Sequence, residues 1–140
     1  MTIQKQGVPP AARTTKARGD QAEQAALDHL ARQGLRLVQR NFRTPGRGGG
    51  EIDLIMSEPD GTLVFVEVRQ RSAASHGGAG GSIGSVKQRR IVFAARHYLA
   101  RLRQCPPCRF DVVLVQGRLD GPQAPSVAWL RGAFDASGWV

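Results

Sequence analysis

Apolar residues recur at helical spacing in two segments of the chain. From about Gly19 they predict a first helix, which Gly34 ends. A second helix is predicted from Ser85 to Arg103. The apolar positions of the two helices are Ala22, Ala25, Ala26, Leu27, Leu30 and Ala31, and then Ile91, Ala94, Ala95, Tyr98, Leu99 and Leu102.

Runs of β-branched and other apolar residues predict four or five strands. Three of them lie between the helices, at Leu35–Phe42, Glu51–Ser57 and Thr62–Arg71. A strong strand follows at Arg109–Val115 and a weaker one at Ser126–Phe134. This order of elements predicts an α/β (α+β) domain, in which a mixed sheet of four or five strands is flanked by helices.

The second and third strands form a predicted hairpin whose register follows from the sequence. If residues 58–62 form the loop, paired positions have residue numbers that add up to 120. One side of the hairpin is then wholly apolar, because its pairs are Ile52 with Val68, Leu54 with Val66, and Met56 with Val64. A shift of one residue would destroy this agreement, so the buried face fixes the register.

The same register places two acids opposite each other on the other side of the hairpin. Asp53 faces Glu67, next to the pairs Ile55 with Phe65 and Glu51 with Arg69. Like charges directly opposite, with β-carbons about 4.5–5.5 Å apart, are destabilising. A divalent cation between the carboxylates removes the repulsion, and hard oxygen ligands suit Mg²⁺ or Mn²⁺. The sequence therefore predicts a metal site at Asp53 and Glu67, with Arg69 on the same face to stabilise developing charge.

Glu23 is a third candidate ligand. On a helical wheel it lies within the apolar arc that should face the core, where an acid needs a partner. Other interpretations stay open: the paired acids would form salt bridges with arginines, and Glu23 would be a surface acid favoured by the helix dipole. Asp111 either assists the site or pairs with a buried arginine, and the structural role is favoured.

Length, charge and hydropathy limit the class of protein. The 140 residues suit one domain, and a net charge of +9 favours polyanionic partners, although a solvated basic surface gives the same composition. No segment approaches the ~20 apolar residues that span a bilayer, and no export signal is present. We therefore expect a cytoplasmic protein with no membrane partner, in which residues 1–18 form a flexible basic arm and residues 19–140 a single domain.

Two further motifs carry no predicted chemistry. Cys105 and Cys108 form a single Cys-Pro-Pro-Cys, whereas a structural zinc site needs four ligands, so we expect a rigid turn with two reduced thiols. The glycine-rich loop at residues 44–50 lacks the Gly-Lys-Ser/Thr ending of a P-loop, which excludes nucleotide binding of that kind.

Several separated motifs resemble the YraN-like family of small bacterial proteins, in the same order and over most of the chain. They are Gly19-Asp-Gln-Ala-Glu23, Arg40-Asn-Phe-Arg43, Gly50-Glu-Ile-Asp-Leu-Ile55, Val64-Phe-Val-Glu-Val-Arg69 with Arg71, Lys87 with Arg89-Arg90, Arg109-Phe-Asp-Val112 and Ala133-Phe134. That family is similar to the PD-(D/E)xK nucleases, especially to archaeal Holliday-junction resolvases. The resemblance therefore implies a restriction-endonuclease-like core.

The resemblance also implies roles for individual residues. Asp53 corresponds to the Asp of the nuclease motif, Glu67 to its second acid, and Glu23 to the helix-borne acid that some members add to the metal site. Arg69 stands where the motif has Lys, and an arginine stays protonated and cannot act as a general base. Lys87, the only lysine in the part of the chain predicted to fold, is a candidate substitute.

The predicted function is that of a divalent-metal-dependent endonuclease acting on DNA rather than RNA, including branched DNA. The basic residues expected to contact nucleic acid are Arg43, Arg71, Lys87, Arg89 and Arg90. One alternative is a catalytically impaired nucleic-acid-binding module on the same fold. Another is a structural protein whose acids pair with arginines. Since junction resolvases need two sites, a homodimer is compatible with the resemblance.

Overall fold

Helices and strands follow one another in the predicted order. They are seen in a computed structural model that describes residues 15–46, 48–71, 83–117 and 121–136. Within these residues the elements are α1 (Thr15–Arg32), β1 (Arg36–Arg43), β2 (Glu51–Ser57), β3 (Leu63–Arg71), α2 (Ser85–Leu99), β4 (Cys108–Gln116) and β5 (Ser126–Phe134).

The strands form one mixed sheet in the order β1-β2-β3-β4-β5. β1, β2 and β3 are antiparallel neighbours, and β5 is antiparallel to β4. β3 and β4 are parallel, because the chain crosses over through α2 between them. The predicted fold class is confirmed: the domain is α+β and consistent with a restriction-endonuclease-like fold.

The two helices cover opposite faces of the sheet. Ala22, Ala26 and Leu30 of α1 pack on one face, against a buried cluster that includes Val66 and Val113. The other cluster joins buried residues of α2 to the opposite face, at Ile55, Phe65, Tyr98, Phe110 and Val112 among others. Both faces of β3 are therefore buried over most of its length, as expected for a central strand with a parallel neighbour.

The predicted register of the β2–β3 hairpin is confirmed where the strands pair. Leu54 lies opposite Val66, Ile55 opposite Phe65, and Met56 opposite Val64. Ile52 differs from the prediction, since it belongs to the same cluster as Ile55 rather than to the cluster of Leu54 and Met56. Strict alternation along β2 therefore fails between Ile52 and Leu54, which is the position of Asp53.

Both helices have ends that differ from the predicted ones. α1 begins at Thr15, so the last four residues assigned to the arm are helical, and the remainder of the arm lies outside the described residues. Its first turn has exposed Lys16 and Arg18, so no apolar pattern revealed it; a 3.0 Å ion pair joins Lys16 to Asp20. Because Lys16 is helical, Lys87 is not the only lysine of the folded part.

The second helix ends at Leu99 rather than Arg103. Arg101 N–H and Leu102 N–H donate to the carbonyls three residues earlier, at 3.1 and 3.0 Å, so the chain tightens into turns there. Leu102 still packs on the core, which explains why the apolar pattern continued past the helix end. Among the described residues, neither helix has the length and apolarity needed to cross a membrane.

Candidate metal centre

The site forms where β2 and β3 stop pairing. The paired register ends at Leu54 and Val66, and beyond it the Asp53 carboxylate accepts the Val68 N–H at 2.8 Å. A side chain thus takes the place that a main-chain acceptor of β2 would fill in a regular sheet. The strands diverge at this point, and Asp53 lies between them rather than on one face.

Glu67 is buried beside Asp53, with 8% of its surface exposed. Burial, followed by the charge of Asp53, raises the pKa of Glu67 to about 8. Burial also raises the pKa of Asp53, whereas its hydrogen bond with Glu67 lowers it. The pKa of both carboxyls is therefore raised above its ordinary value, and the two groups titrate as a pair that shares a proton.

Lys87 is the cation next to this pair. It comes from the first turn of α2, and its Nζ lies 3.5 Å from Glu67 Oε2. About half of the Lys87 side chain is exposed (51%), so the ammonium group meets both the buried acid and the solvent. The sequence suggested Lys87 as a contact to nucleic acid and as a substitute for the missing motif lysine; the structure brings it to the acid pair.

Glu23 reaches the site from the middle of α1. The interpretation as an acid at a helix start fails, because α1 begins eight residues before it. Burial, followed by the charge of Asp53, raises the pKa of Glu23 to about 7. Its Oε1 is buried without a hydrogen-bond partner, and the guanidinium nitrogen Nη2 of Arg40 is 3.8 Å away from it. A buried carboxylate oxygen with no donor can accept a ligand.

Asn41 is a site residue that the sequence analysis did not single out. It lies in β1 between Arg40 and Phe42, which pair with Leu54 and Ile52, so it is opposite Asp53. Its φ of 53° is in the left-handed region, which non-glycine residues rarely adopt. Its side chain also hydrogen-bonds Glu23 and lowers the pKa of that acid. Such strain is found at functional sites; the available signal was an asparagine inside a strand.

The acids fit a hard divalent cation in their chemistry. Asp53 and Glu67 present contacting carboxyls that repel each other once both are ionised, and Glu23 adds a buried oxygen that lacks a donor. No group of three or more His, Cys, Asp or Glu residues is close enough to hold a metal in the described part of the chain. Such a cation would therefore keep water or substrate oxygens among its ligands, as Mg²⁺ commonly does.

Two clefts share Arg43 and Glu51 as lining residues; Glu23 lines one of them, whereas Asp53 and Glu67 line neither. One has a volume of about 470 Å³ and lies toward α1, and the other has about 410 Å³ and lies toward α2. The first is lined by Lys16, Gly19, Asp20, Glu23, Asn41, Arg43 and Glu51. The second is lined by Arg43, Thr44, Gly46, Gly48, Gly49, Gly50, Glu51, Lys87, Arg90 and Ile91.

The glycine-rich loop forms one wall of the second cleft and is fixed at both ends. Thr44 Oγ1 accepts the Gly50 N–H at 2.8 Å, and the Thr44 N–H donates to the Gly50 carbonyl at 3.1 Å. A β-carbon on Gly50 would overlap the main-chain oxygen of Arg90 and lie 2.7 Å from its carbonyl carbon. Gly50 therefore lets β2 begin in direct contact with the main chain of α2.

The remaining predicted site residues, all of them basic, lie on the strands and the helix around this centre. Arg69 is half-buried on β3, two residues beyond Glu67, and Arg71 ends the same strand. Arg43, Lys87 and Arg90 line the second cleft. Arg89 is exposed on α2 beside Arg90.

Asp111 belongs to a separate structural network, as favoured from the sequence. It is fully buried and accepts hydrogen bonds from Arg109 Nε at 3.0 Å, Trp129 Nε1 at 2.8 Å and Gly132 N at 2.9 Å. Arg109 also pairs with Glu58. These contacts tie β5 and the β2–β3 turn to β4, and they use none of the metal-site acids.

The other motifs are accounted for as follows. Phe134, of the Ala133-Phe134 motif, stacks on Phe110 with ring centroids 5.0 Å apart, so it packs against the core. Cys105 and Cys108 are free, exposed thiols, as expected; Cys105 lies in the turn before β4, whereas Cys108 is the first residue of that strand.

A mixed five-stranded sheet between two helices makes this an α+β protein, with an architecture consistent with a restriction-endonuclease-like fold. The sequence narrows this class. Residues 22–115 match the model of the uncharacterised protein family UPF0102, and the chain belongs to that family.

Relatives in this family are similar to the chain over nearly its whole length. A UPF0102 protein of Polaromonas naphthalenivorans (strain CJ2) is 68% identical over 126 residues, 89% of this chain and 82% of the relative. That of Acidovorax sp. (strain JS42) is 64% identical over 126 residues, 90% of each chain. That of Albidiferax ferrireducens is 64% identical over 123 residues, 88% of this chain and 91% of the relative. UPF0102 is the YraN family, so the predicted resemblance to the YraN-like family is confirmed.

Proposed function

We propose that the protein is a divalent-metal-dependent endonuclease that hydrolyses phosphodiester bonds in DNA. One observation carries the proposal: the half-buried carboxyl of Asp53 and the buried carboxyl of Glu67 are in contact where the pairing of β2 and β3 ends. The two carboxyls repel each other even with Lys87 beside Glu67, so a protein that bound no metal there would be more stable with an apolar residue or threonine at one position. Retaining both acids in the folded domain is explained by a ligand that needs both.

Asp53 and Glu67 would hold Mg²⁺ or Mn²⁺, and Glu23 would assist through a water molecule, because the three acids do not form one group of direct ligands in the described residues. When bound, the metal supplies a lowered pKa for a coordinated water and stabilises charge on a phosphoryl oxygen. Asp53 is kept in place by the Val68 N–H, which donates to its Oδ2 and leaves the other oxygen to the site. Glu67 must give up its proton for a metal to bind, so we expect binding to weaken as the pH falls below about 8.

Lys87 and Arg69 provide the positive charge that the reaction needs. Lys87 Nζ contacts Glu67 and also lines the cleft, so it can donate to a phosphate oxygen or orient a water there. Arg69 follows Glu67 by two residues on β3 and adds a permanent charge, but it cannot accept a proton. Lys87 therefore stands in for the motif lysine that Arg69 replaces.

The clefts favour a phosphate-bearing polymer. Arg43, Lys87 and Arg90 line one cleft of about 410 Å³, and its glycine-rich wall allows a backbone to approach closely. Arg71 and Arg89 extend the basic surface along β3 and α2. We take DNA, including branched DNA, as the substrate because the resemblance is to enzymes that cleave it. A cytoplasmic location and a homodimer that acts on both strands belong to the same proposal.

The experiment is a cleavage assay with labelled duplex, single-stranded and four-way-junction DNA in Mg²⁺ or Mn²⁺, using wild type and Asp53→Asn. We expect metal-dependent cleavage by the wild type and a loss of at least about a hundredfold in Asp53→Asn, because a neutral amide binds these cations poorly. Asparagine keeps an oxygen that can accept the Val68 N–H, so the fold should survive. Asp53→Ala, which leaves that donor without an acceptor, is the destabilised comparison.

A pair of Lys87 variants separates two roles of this residue. If its charge is sufficient, Lys87→Arg should retain activity and Lys87→Ala should lose about a hundredfold. If Lys87 transfers a proton, both variants should lose activity. Calorimetry with Mn²⁺ completes the set: DNA binding without metal binding or cleavage would favour the catalytically impaired module, to which the arginine at position 69 points.

A further inference from the structure

The net positive charge of the chain comes from one continuous stretch of sequence. Nine of the twenty basic residues, and none of the eleven acidic ones, lie between Val68 and Phe110. This difference equals the whole net charge of +9, so the remainder of the chain is balanced. The stretch contains α2, whose fifteen residues include four Lys or Arg and no acid.

The outward face of α2 combines these cations with an exposed aromatic ring. Its core side is formed by Ile91, Val92, Ala94, Ala95 and Tyr98. A row at helical spacing on the opposite side consists of Val86, Arg90, Phe93 and His97, with Arg89 and Arg96 beside it. Phe93 is 44% exposed, and its ring meets the imidazole of His97 edge to face, with centroids 4.7 Å apart.

We propose that this outward face of α2 binds a single-stranded segment of nucleic acid, whose unpaired bases stack on Phe93 and His97. Duplex DNA presents mainly phosphates to a surface, and the arginines alone would satisfy them. An exposed phenylalanine is useful where bases are unstacked, because every base offers a flat π face. A protein partner would have to bring acidic residues to match a face with no acids, whereas a nucleic acid provides the negative charge throughout.

The surface leads into the candidate metal centre. Lys87 and Arg90, at the start of α2, line the cleft beside Glu67, and Phe93 and His97 follow along the same helix. From Val86 to His97 the helix rises ~16 Å, the length of about five stacked nucleotides. A strand lying along α2 would therefore place a phosphodiester bond at the acids. This inference rests on the proposed function, and it specifies a substrate with an unpaired segment next to the cleavage point.

The test measures the affinity of full-length protein for a labelled fifteen-nucleotide oligothymidine and for a duplex of equal length, by fluorescence anisotropy in EDTA. We expect Phe93→Ala to weaken single-strand binding about tenfold, because stacking on one base is lost, and to change duplex binding by less than about twofold. The salt dependence of binding should stay the same, since phenylalanine releases no counterions. Phe93→Tyr should keep the affinity, and Phe93→Leu should lose it.

Val86→Ala is the matched control, because Val86 is an exposed apolar residue (59%) of the same row that has no ring. The affinity of this variant for oligothymidine should equal that of the wild type. Unchanged single-strand binding in Phe93→Ala would overturn the inference. Retained single-strand affinity in Phe93→Leu would also overturn it. So would a wild-type dimer that becomes a monomer in Phe93→Ala, as measured by sedimentation, because that result would assign Phe93 to contact with a second copy.

Failure of this inference and failure of the proposed function give different results. If cleavage depends on metal and Asp53 but Phe93 has no effect, only the α2 surface is wrong. If oligothymidine binding depends on Phe93 while metal binding and cleavage are absent, the surface is right and the endonuclease is wrong. If the wild type binds neither the oligothymidine nor the duplex, the α2 surface and the endonuclease are both wrong.

Discussion

Glu67 links the chemistry of the site to the stability of the protein. A buried carboxyl beside a second one stays protonated near neutral pH, and the folded state therefore binds a proton that the unfolded chain releases. Raising the pH removes this advantage. In the metal-free protein, the ionised acid pair that a cation would bind thus lowers the free energy of unfolding.

We expect the metal-free protein to lose stability as the pH rises from about 4.5 to about 8. The folded pKa of Glu67, about 8, is above the ordinary value of 4.5, so its contribution is complete at low pH and disappears through this window. Glu67→Gln should flatten the profile and raise the free energy of unfolding at pH 8 by roughly 1–3 kcal/mol. Urea denaturation in EDTA over this pH range measures both effects.

Asp28→Asn is the control for this prediction, since Asp28 is an exposed acid of α1 and the change should alter stability by less than about 0.5 kcal/mol. A pH profile of Glu67→Gln that runs parallel to the wild type would contradict the prediction. Adding Mg²⁺ should reverse the order at pH 8, because only the wild type gains binding energy.

The sequence was sufficient for the acid pair but not for its surroundings. Asp53 and Glu67 followed from a register that an apolar face fixes, and that register was correct wherever the strands pair. Lys87 approaches Glu67 from a helix that begins fourteen residues after the end of β3, and a contact of this kind has no local sequence pattern. Asn41 could not be predicted, because its left-handed φ depends on how β1 meets the divergent end of β2.

At the scale of elements, close contact between β2 and α2 holds the site together. Gly50 touches the main chain at Arg90, one turn after Lys87. The start of the strand that carries Asp53 is thereby fixed against the helix that carries Lys87. This contact requires a residue without a side chain at position 50. A larger residue there should push β2 away from α2 and so disturb the site, although position 50 itself holds no ligand.

We expect Gly50→Ala to destabilise the protein by about 2 kcal/mol or more and to weaken metal binding at the same time. Its β-carbon would overlap main-chain atoms, which cannot move aside as a flexible side chain can. Thermal denaturation and Mn²⁺ calorimetry measure the two effects. In contrast, Gly19→Ala, at a helical position with nothing within 4 Å of the added carbon, should stabilise by roughly 0.5–1 kcal/mol. If both alanine variants gained stability, the contact at Arg90 would be unimportant.

Element types could be predicted more reliably than their ends. The strands at residues 51–57 and 126–134 have the predicted bounds, since turn residues delimit them. The start of α1 was missed because its first turn is solvated and carries no apolar stripe. Ile52 was assigned to the wrong cluster, because strict alternation assumes regular pairing and Asp53 interrupts it.

At the scale of the whole molecule, the concentration of charge between Val68 and Phe110 determines which arginines matter. DNA affinity should fall linearly with salt concentration on logarithmic axes. We expect Arg89→Gln and Arg90→Gln each to reduce the magnitude of that slope by about one. Arg32→Gln and Arg36→Gln, exposed positions in the electrically balanced part of the chain, should leave the slope unchanged. Titrations of DNA binding from about 0.05 to about 0.3 M salt measure this slope. Equal effects at all four positions would show that the charge acts diffusely.

The parallel pairing of β3 with β4 also has a consequence for how the protein folds. Every paired position in β4 follows its partner in β3 by 45 residues, whereas β1, β2 and β3 pair with immediate neighbours in the chain. Closing a long loop delays non-local pairing, so we expect the three-stranded meander to form first. Pulsed hydrogen exchange should protect β2 amides before those of β4. Asp53 and Glu67 would then meet before α2 brings Lys87 to them, and a divalent cation present during that interval would act as a folding ligand.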